Sequence, residues 1–484
     1  RYEMFLTQLI AIATLLGVAR LATLTAVSDG VARRIQLLVV SLMIFSPMHL
    51  EVFLWGIALI NLIPPACLVG GLVVAYSAWR LPWKLAGGIL ISSLATYSYS
   101  SGLMCWGLLP AALFVREWPR VRSRRWPWLV WLAAAAANLG PYFHGFVRGG
   151  GHPPLGSVFE QGLLFSAMAF CSFFGGPLRF ESRIGGGTVA FLVGATALAG
   201  FALCAQHLLL RRGRLLEAGW PWLVLGAYSL VSGLAVTVAR IGWGAENLLA
   251  GRYGPHAIWL SVALVFLAPL CLWDVRERAS ARGRRTLDGA LLGLLAGALL
   301  LIGLSYQTAW PWLADHRTQR LHGKAALLLI ESFHAKPLSR WIHPEPAYLR
   351  QQAQALDRLG LLRPPLFHRD FAARADLSGA SVSGAVERSR SGPGGSAELA
   401  GWAVWPDPPR AADAIVFTYR FGNSEPVPFD IAFPDVPRPD LPACRASRAA
   451  LACGWQAQLA LPGRGAIVEA WALDAQRGRP ARLF

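Results

Sequence analysis

Charge is scarce in this chain. Asp, Glu, Lys and Arg make up 15% of the 484 residues, and the long apolar runs hold almost no ionisable side chains, Arg20 and His207 being exceptions. That scarcity argues against a transporter, which needs ionisable groups at mid-span and inverted repeats. Metal-ligand spacing is missing as well. No CxxC and no pair of histidines accompanies Cys444 and Cys453, which argues against a zinc site. Nor is there a leader pattern. The chain opens Arg1-Tyr-Glu-Met without an initiator Met and runs almost at once into an apolar stretch, so it is expected to be a fragment lacking an upstream segment.

Apolar residues dominate instead, at 55% with 20 Trp. Stretches of ~17–25 apolar residues recur through roughly the first 300 positions. The expected fold is mainly α, a polytopic transmembrane helical bundle of about ten spans. The expected spans are 4–27, 35–48, 55–79, 85–98, 102–115, 128–143, 188–210, 220–239, 256–273 and 287–306. Cys67, Cys105, Cys171, Cys204 and Cys271 fall in apolar stretches and read as small packing residues. Cys444 and Cys453 lie nine positions apart in a polar tail, where a disulfide fits if that tail is outside the cytosol.

The formal charge of +18 invites a nucleic-acid reading, but the arginines lie in short loops between apolar runs. Arg33 and Arg34, Arg80 and Lys84, Arg116 to Arg125, Arg211 to Arg214 and Arg276 to Arg285 follow alternate spans, which makes those loops cytoplasmic and the bilayer the partner. The opposite loops carry scattered charge: Glu51, Arg148, Arg179, Arg183, Arg240 and Arg252. This scheme requires that Gly162–Leu178 not cross, lying instead as an interfacial or re-entrant helix within a long external loop. Three Trp-Pro-Trp triplets (126–128, 220–222 and 310–312) suit the headgroup zone, the first two as helix starts.

Beyond Tyr306 the pattern changes. Residues 307–376 read as an external connector with amphipathic helices at 321–331 and 346–359, packing on the bundle. Residues 377–484 read as a small β-sandwich, with alternating segments at Ala397–Val404, Ala414–Tyr419 and Ala466–Leu473 and a hairpin loop at 388–396. The domains expected are thus 1–306, 307–376 and 377–484.

External polar residues are the candidates for chemistry. Arg240 and Arg252, with Glu246, Asn247 and Tyr253, lie in a short glycine-rich turn between two apolar runs. A guanidinium offers a planar fork for phosphate, although either arginine could instead pair with Glu246 or snorkel. His49 and Glu51 follow Ser46-Pro47, as an acid/base pair or as a helix cap. Thr96-Tyr-Ser-Tyr-Ser-Ser-Gly102 puts the hydroxyls of Tyr97 and Ser100 at an external turn, as a sugar or phosphate site or a polar hairpin.

Three segments together carry a resemblance: Ser46-Pro-Met-His-Leu-Glu-Val-Phe-Leu-Trp-Gly56, Tyr97-Ser-Tyr-Ser-Ser-Gly-Leu103 with Trp106, and Arg240-x-x-x-Gly244 followed by Gly251-Arg-Tyr253. They resemble bacterial polytopic membrane proteins related to GT-C type glycosyltransferases. Gly251 stands where those proteins more often have Ser. The resemblance implies an inner-membrane enzyme that moves sugar from a polyprenyl-phosphate donor to a glycan or lipid acceptor on the outer face, with the tail periplasmic. It also implies a catalytic carboxylate in the first external loop, which the topology puts upstream of Arg1; Glu51 is the substitute candidate on this chain. A divalent metal is compatible with that chemistry but has no ligand motif. The alternatives are an O-antigen polymerase or ligase, or a non-catalytic scaffold for envelope assembly.

Overall fold

Proline and glycine divide the apolar runs into helices. The computed structural model describes residues 2–25, 30–118, 125–147, 152–332, 342, 345–368, 370–378, 382–392, 395–447, 449–463 and 465–483. Arg120, Arg122, Arg124 and Arg148 lie outside the described residues. The chain divides into two compact units, Arg1–Leu313 and Ala314–Phe484.

In the first unit, seven helical stretches among the described residues are long and apolar enough to cross a membrane: Met4–Thr25, Gly30–Leu54, Gly56–Tyr76, Gly186–Arg211, Gly213–Trp243, Gly251–Arg278 and Ala281–Leu328, the last running on into the second unit. These make the chain a multi-pass membrane protein. Of the ten expected spans, three fall on helices outside that set: Leu81–Ser98, Cys105–Arg116 and Trp126–Phe143. Cys105–Arg116 has 12 residues, ~18 Å at 1.5 Å per residue, which is short against a ~30 Å hydrocarbon core.

Leu163–Gly175, with 13 residues, is short by the same measure. It packs against Gly186–Arg211 through bare backbone. A Cβ on Gly175 would lie 1.9 Å from the Ala190 carbonyl oxygen, and one on Gly194 would lie 1.8 Å from that of Cys171. Pro127 sits in the first turn of Trp126–Phe143, as expected. Pro221 does not: its helix begins at Gly213, so the second triplet lies inside a helix, and so does Pro311.

Residues from four of the five arginine-bearing loops, those after Tyr76, Arg116, Arg211 and Asp274, pair at one end of this unit. Arg116 pairs with Glu217, whose carbonyl accepts from the Tyr76 hydroxyl. Lys84 pairs with Glu117 at 2.6 Å. Asp274 accepts from His207 at 2.9 Å and Arg278 at 2.6 Å, with Arg211 at 3.5 Å. The opposite end of the same helices carries the candidate site. Between the ends the core is apolar, with Trp222 stacked on Phe266 at 3.7 Å.

The second unit holds two four-stranded antiparallel sheets. Its strands are β1 (Ser383–Ser391), β2 (Ser396–Pro406), β3 (Pro409–Ala411), β4 (Ala414–Arg420), β5 (Val427–Ala432), β6 (Gly454–Ala460), β7 (Ile467–Asp474) and β8 (Arg479–Arg482). One sheet pairs β2 with β1, β3 and β6; the other runs β5-β4-β7-β8. Ala403, Trp405 and Trp455 of the first meet Ile415, Phe417 and Ala472 of the second in one core, which makes the β-sandwich. The hairpin expected at 388–396 is tighter than that, because β1 continues to Ser391.

Helices Pro346–Arg358 and Phe371–Ser378 belong to this unit. Phe367 and Phe371 pack with Val416, Trp471 and Leu473 on the outer face of the second sheet. Phe371–Ser378 is thus taken by the sandwich, while Ala353 of Pro346–Arg358 packs with Ala326, Ile330 and Leu366, so both pack within this unit and not on the bundle as expected. Cys444 and Cys453 are joined by a disulfide.

Candidate functional site

Ser46 breaks the second apolar run. Its hydroxyl accepts the Met48 N–H at 3.2 Å, and Pro47–His49 turns into the short helix Leu50–Leu54. This places Glu51 against the loop that follows Ala250. One carboxylate oxygen accepts the backbone N–H of Arg252 and the other accepts from its Nη1, each at 3.0 Å. The approach depends on glycine. A Cβ on Gly251 would lie 3.0 Å from the Met48 carbonyl oxygen and 3.4 Å from the Glu51 Cβ. A larger side chain at that position would crowd Glu51.

His49 stands behind this pair. It is buried, and its ring lies where a Cβ on Gly254 would be, 2.2 Å from Cδ2. Its Nε2 and the Trp259 Nε1 have no hydrogen-bond partner among the described residues. Both rings border a small recess with Ala11, Thr14, Leu62 and Ile258. His49 and Glu51 are thus two positions apart in sequence but differently employed: Glu51 is half-buried and faces Arg252, while His49 is packed inside.

The turn after Arg240 is a series of short 3-10 segments, Ile241–Trp243, Ala245–Leu249 and Gly251–Tyr253, with Gly244 at φ 98° between the first two. The Arg240 guanidinium lies 4.7 Å over Trp243, and its Nη1 donates to His152 Nδ1 at 2.6 Å. Asn247 donates to the Trp243 carbonyl at 2.6 Å, so it shapes the turn. Arg252 lies 5.1 Å over the buried Tyr253 ring. Glu246 is exposed and forms no ion pair with a described residue, so neither arginine is spent on it. A third arginine joins the loop: Arg179 donates to the Leu249 carbonyl at 2.6 Å and covers Trp312 at 4.9 Å.

The hydroxyl segment divides. Tyr97 is exposed, and its hydroxyl donates to the Asn138 carbonyl at 3.1 Å beside Tyr142. Ser100 is exposed too. Tyr99, by contrast, is partly buried, and the Arg240 and Arg252 charges bear on its hydroxyl.

Behind Tyr99 lies a buried polar chain with no spacing signal in the sequence. Its ring stacks on His256 at 5.7 Å and 13°. His256 Nδ1 is 2.8 Å from the Tyr228 hydroxyl, and Nε2 is 3.3 Å from the Asn61 carbonyl oxygen. Asn61 donates its amide to Ala58 at 3.1 Å, so its oxygen faces the ring and accepts. In its neutral form the imidazole carries its proton on Nε2 and accepts from Tyr228, with each nitrogen satisfied.

No family model, curated protein or solved structure matches the chain. The site is therefore read from its own geometry. Among the described residues no three His, Cys, Asp or Glu side chains gather to hold a metal ion. What the arrangement offers is two guanidinium groups, each with one face on an aromatic ring, and one carboxylate. Such a set can bind a phosphate and accept a proton beside it.

Proposed function

We propose that the chain is an integral-membrane glycosyltransferase of the GT-C type, which takes sugar from a polyprenyl-phosphate donor at the Arg240–Arg252 end of the bundle. The observation that carries this reading is the Glu51–Arg252 pair, with both contacts at 3.0 Å. Donor phosphate competes with Glu51 for Nη1 of Arg252 while the backbone N–H keeps the second carboxylate oxygen in place. One carboxylate oxygen is thereby freed beside the bound phosphate.

In the step proposed, the acceptor hydroxyl oxygen bonds to the anomeric carbon as the bond from that carbon to the phosphate oxygen breaks. The phosphate leaves with the electron pair, its charge met by Arg252 and Arg240, and the hydroxyl proton passes to Glu51. Asn247 and Tyr253 hold the turn in shape. The acceptor is an envelope glycan or lipid. The Cys444–Cys453 disulfide supports placing the second unit on the non-cytoplasmic side of a bacterial inner membrane.

The test is a donor comparison in membranes containing the full-length protein. Transfer from a polyprenyl-monophosphate sugar supports the assignment. Transfer from an oligosaccharide diphosphate lipid alone would assign a polymerase or ligase instead, and transfer from neither would contradict an enzyme.

A further inference from the structure

Tyr99 is held more firmly than a loop tyrosine needs to be. Leu81–Ser98 ends with Tyr99 fully extended, at φ −159° and ψ 152°, and the chain then folds back so tightly that a Cβ on Gly102 would lie 1.9 Å from the Ala95 carbonyl oxygen. That fold leaves Tyr97 outside and turns Tyr99 inward onto His256. The imidazole is itself fixed, through Tyr228 at 2.8 Å and Asn61 at 3.3 Å, and the backbone carbonyl of His256 accepts from the Ser229 hydroxyl at 2.8 Å. Tyr228 also lies 3.3 Å from the Ser101 hydroxyl, which ties the network back to the turn that carries Tyr99.

A ring clamped in this way has its hydroxyl as the only part left to act. No described residue accepts the Tyr99 proton, and its ring lies on His256, four residues after Arg252, with the Arg240 and Arg252 charges bearing on the hydroxyl. Two cations and one directed O–H donor suit a tetrahedral oxyanion: the arginines supply charge, and the phenol supplies direction. Tyr97 and Ser100, the hydroxyls that sequence spacing favours, do not meet these conditions.

We propose that Tyr99 is an anion-binding residue whose hydroxyl donates to a phosphate monoester or diester held between Arg240 and Arg252. This rests on the phosphate-binding reading above and adds a ligand to that site. Tyr99→Phe is the decisive substitution, because it keeps the ring on His256 and removes only the hydroxyl.

The experiment is equilibrium binding of farnesyl phosphate, and separately of inorganic phosphate, to the purified full-length chain in detergent. Wild type, Tyr99→Phe, Tyr97→Phe and Arg252→Ala are compared, with thermal unfolding of each as a check on folding. Tyr99→Phe is expected to weaken binding roughly 5- to 20-fold, the loss of one charge-assisted hydrogen bond, while Tyr97→Phe binds as wild type does. Tighter binding of farnesyl phosphate than of inorganic phosphate supports a lipid-linked ligand; equal binding supports a free phosphate at the same three residues. Binding lost in Arg252→Ala but unchanged in Tyr99→Phe overturns the role of Tyr99 alone. If the folded wild type binds neither probe, the phosphate site and the role of Tyr99 are overturned together.

Discussion

Glu51 and Arg252, 201 residues apart in sequence, meet through both carboxylate oxygens, one on the guanidinium and one on the backbone N–H. The two contacts differ in kind. The side-chain contact can be exchanged for an anionic ligand, while the backbone contact keeps the carboxylate where it is. Both groups are half-buried, so solvent screens the pair only in part.

Glu51→Gln keeps the shape of the side chain and removes its charge. Folding and expression should be unchanged. Farnesyl phosphate should bind at least as tightly, since the competing anion is gone, while sugar transfer in membranes should fall by about 100-fold or more. Weaker binding would show that Glu51 supports the ligand rather than competing with it.

Gly254→Ala puts a methyl group into the His49 ring, 2.2 Å from Cδ2, at a helix start where the backbone itself tolerates alanine. The expected cost is ~1–3 kcal/mol from overpacking. It should appear as a lower unfolding temperature in detergent. Adding His49→Ala should relieve the clash, and if the double variant is no more stable than Gly254→Ala the contact has been misjudged.

His368 bridges Glu331 at 2.9 Å and Asp357 at 3.1 Å. Its hydrogen bond to Glu331, helped by Asp357, raises its pKa above the ordinary histidine value, against a smaller opposing effect of burial. A raised folded-state value means that the stabilisation is fully present below the unfolded histidine pKa. It is lost as pH rises through the higher folded one. Hydrogen exchange over residues 354–368 in the full-length chain, corrected for intrinsic rates, should therefore show less protection at pH 8 than at pH 6. His368→Gln should remove that difference.

Five cysteines are free and two are bonded, so alkylation of the unfolded, unreduced protein should label five sites, and all seven after reduction. Cys453→Ser should destabilise the second unit by about 2–4 kcal/mol. A seven-site label without reductant would show that the tail does not form the bond.

Much of the architecture was legible because the physics is local. Apolar runs, the arginines between them and the period-two segments at β2, β4 and β7 each report on their own surroundings. The site was less so. Arg240 and Arg252 stood out by charge in an apolar setting, but their partners did not. Glu51 reaches Arg252 only through the fold, and Glu246, the acidic residue nearest in sequence, stays exposed. Asn61, Tyr228 and His256 are single polar residues in three separate apolar stretches, so no spacing linked them. Tyr97 lies outside and Tyr99 turns onto His256 because the chain folds back tightly at Gly102, which helical periodicity does not show.

The most direct test of the central claim is sugar transfer in membranes by Arg252→Ala beside the wild type at matched expression. Removing the guanidinium should abolish transfer from the polyprenyl-monophosphate sugar while the protein remains folded and membrane-inserted. Transfer retained at the wild-type rate would contradict the assignment.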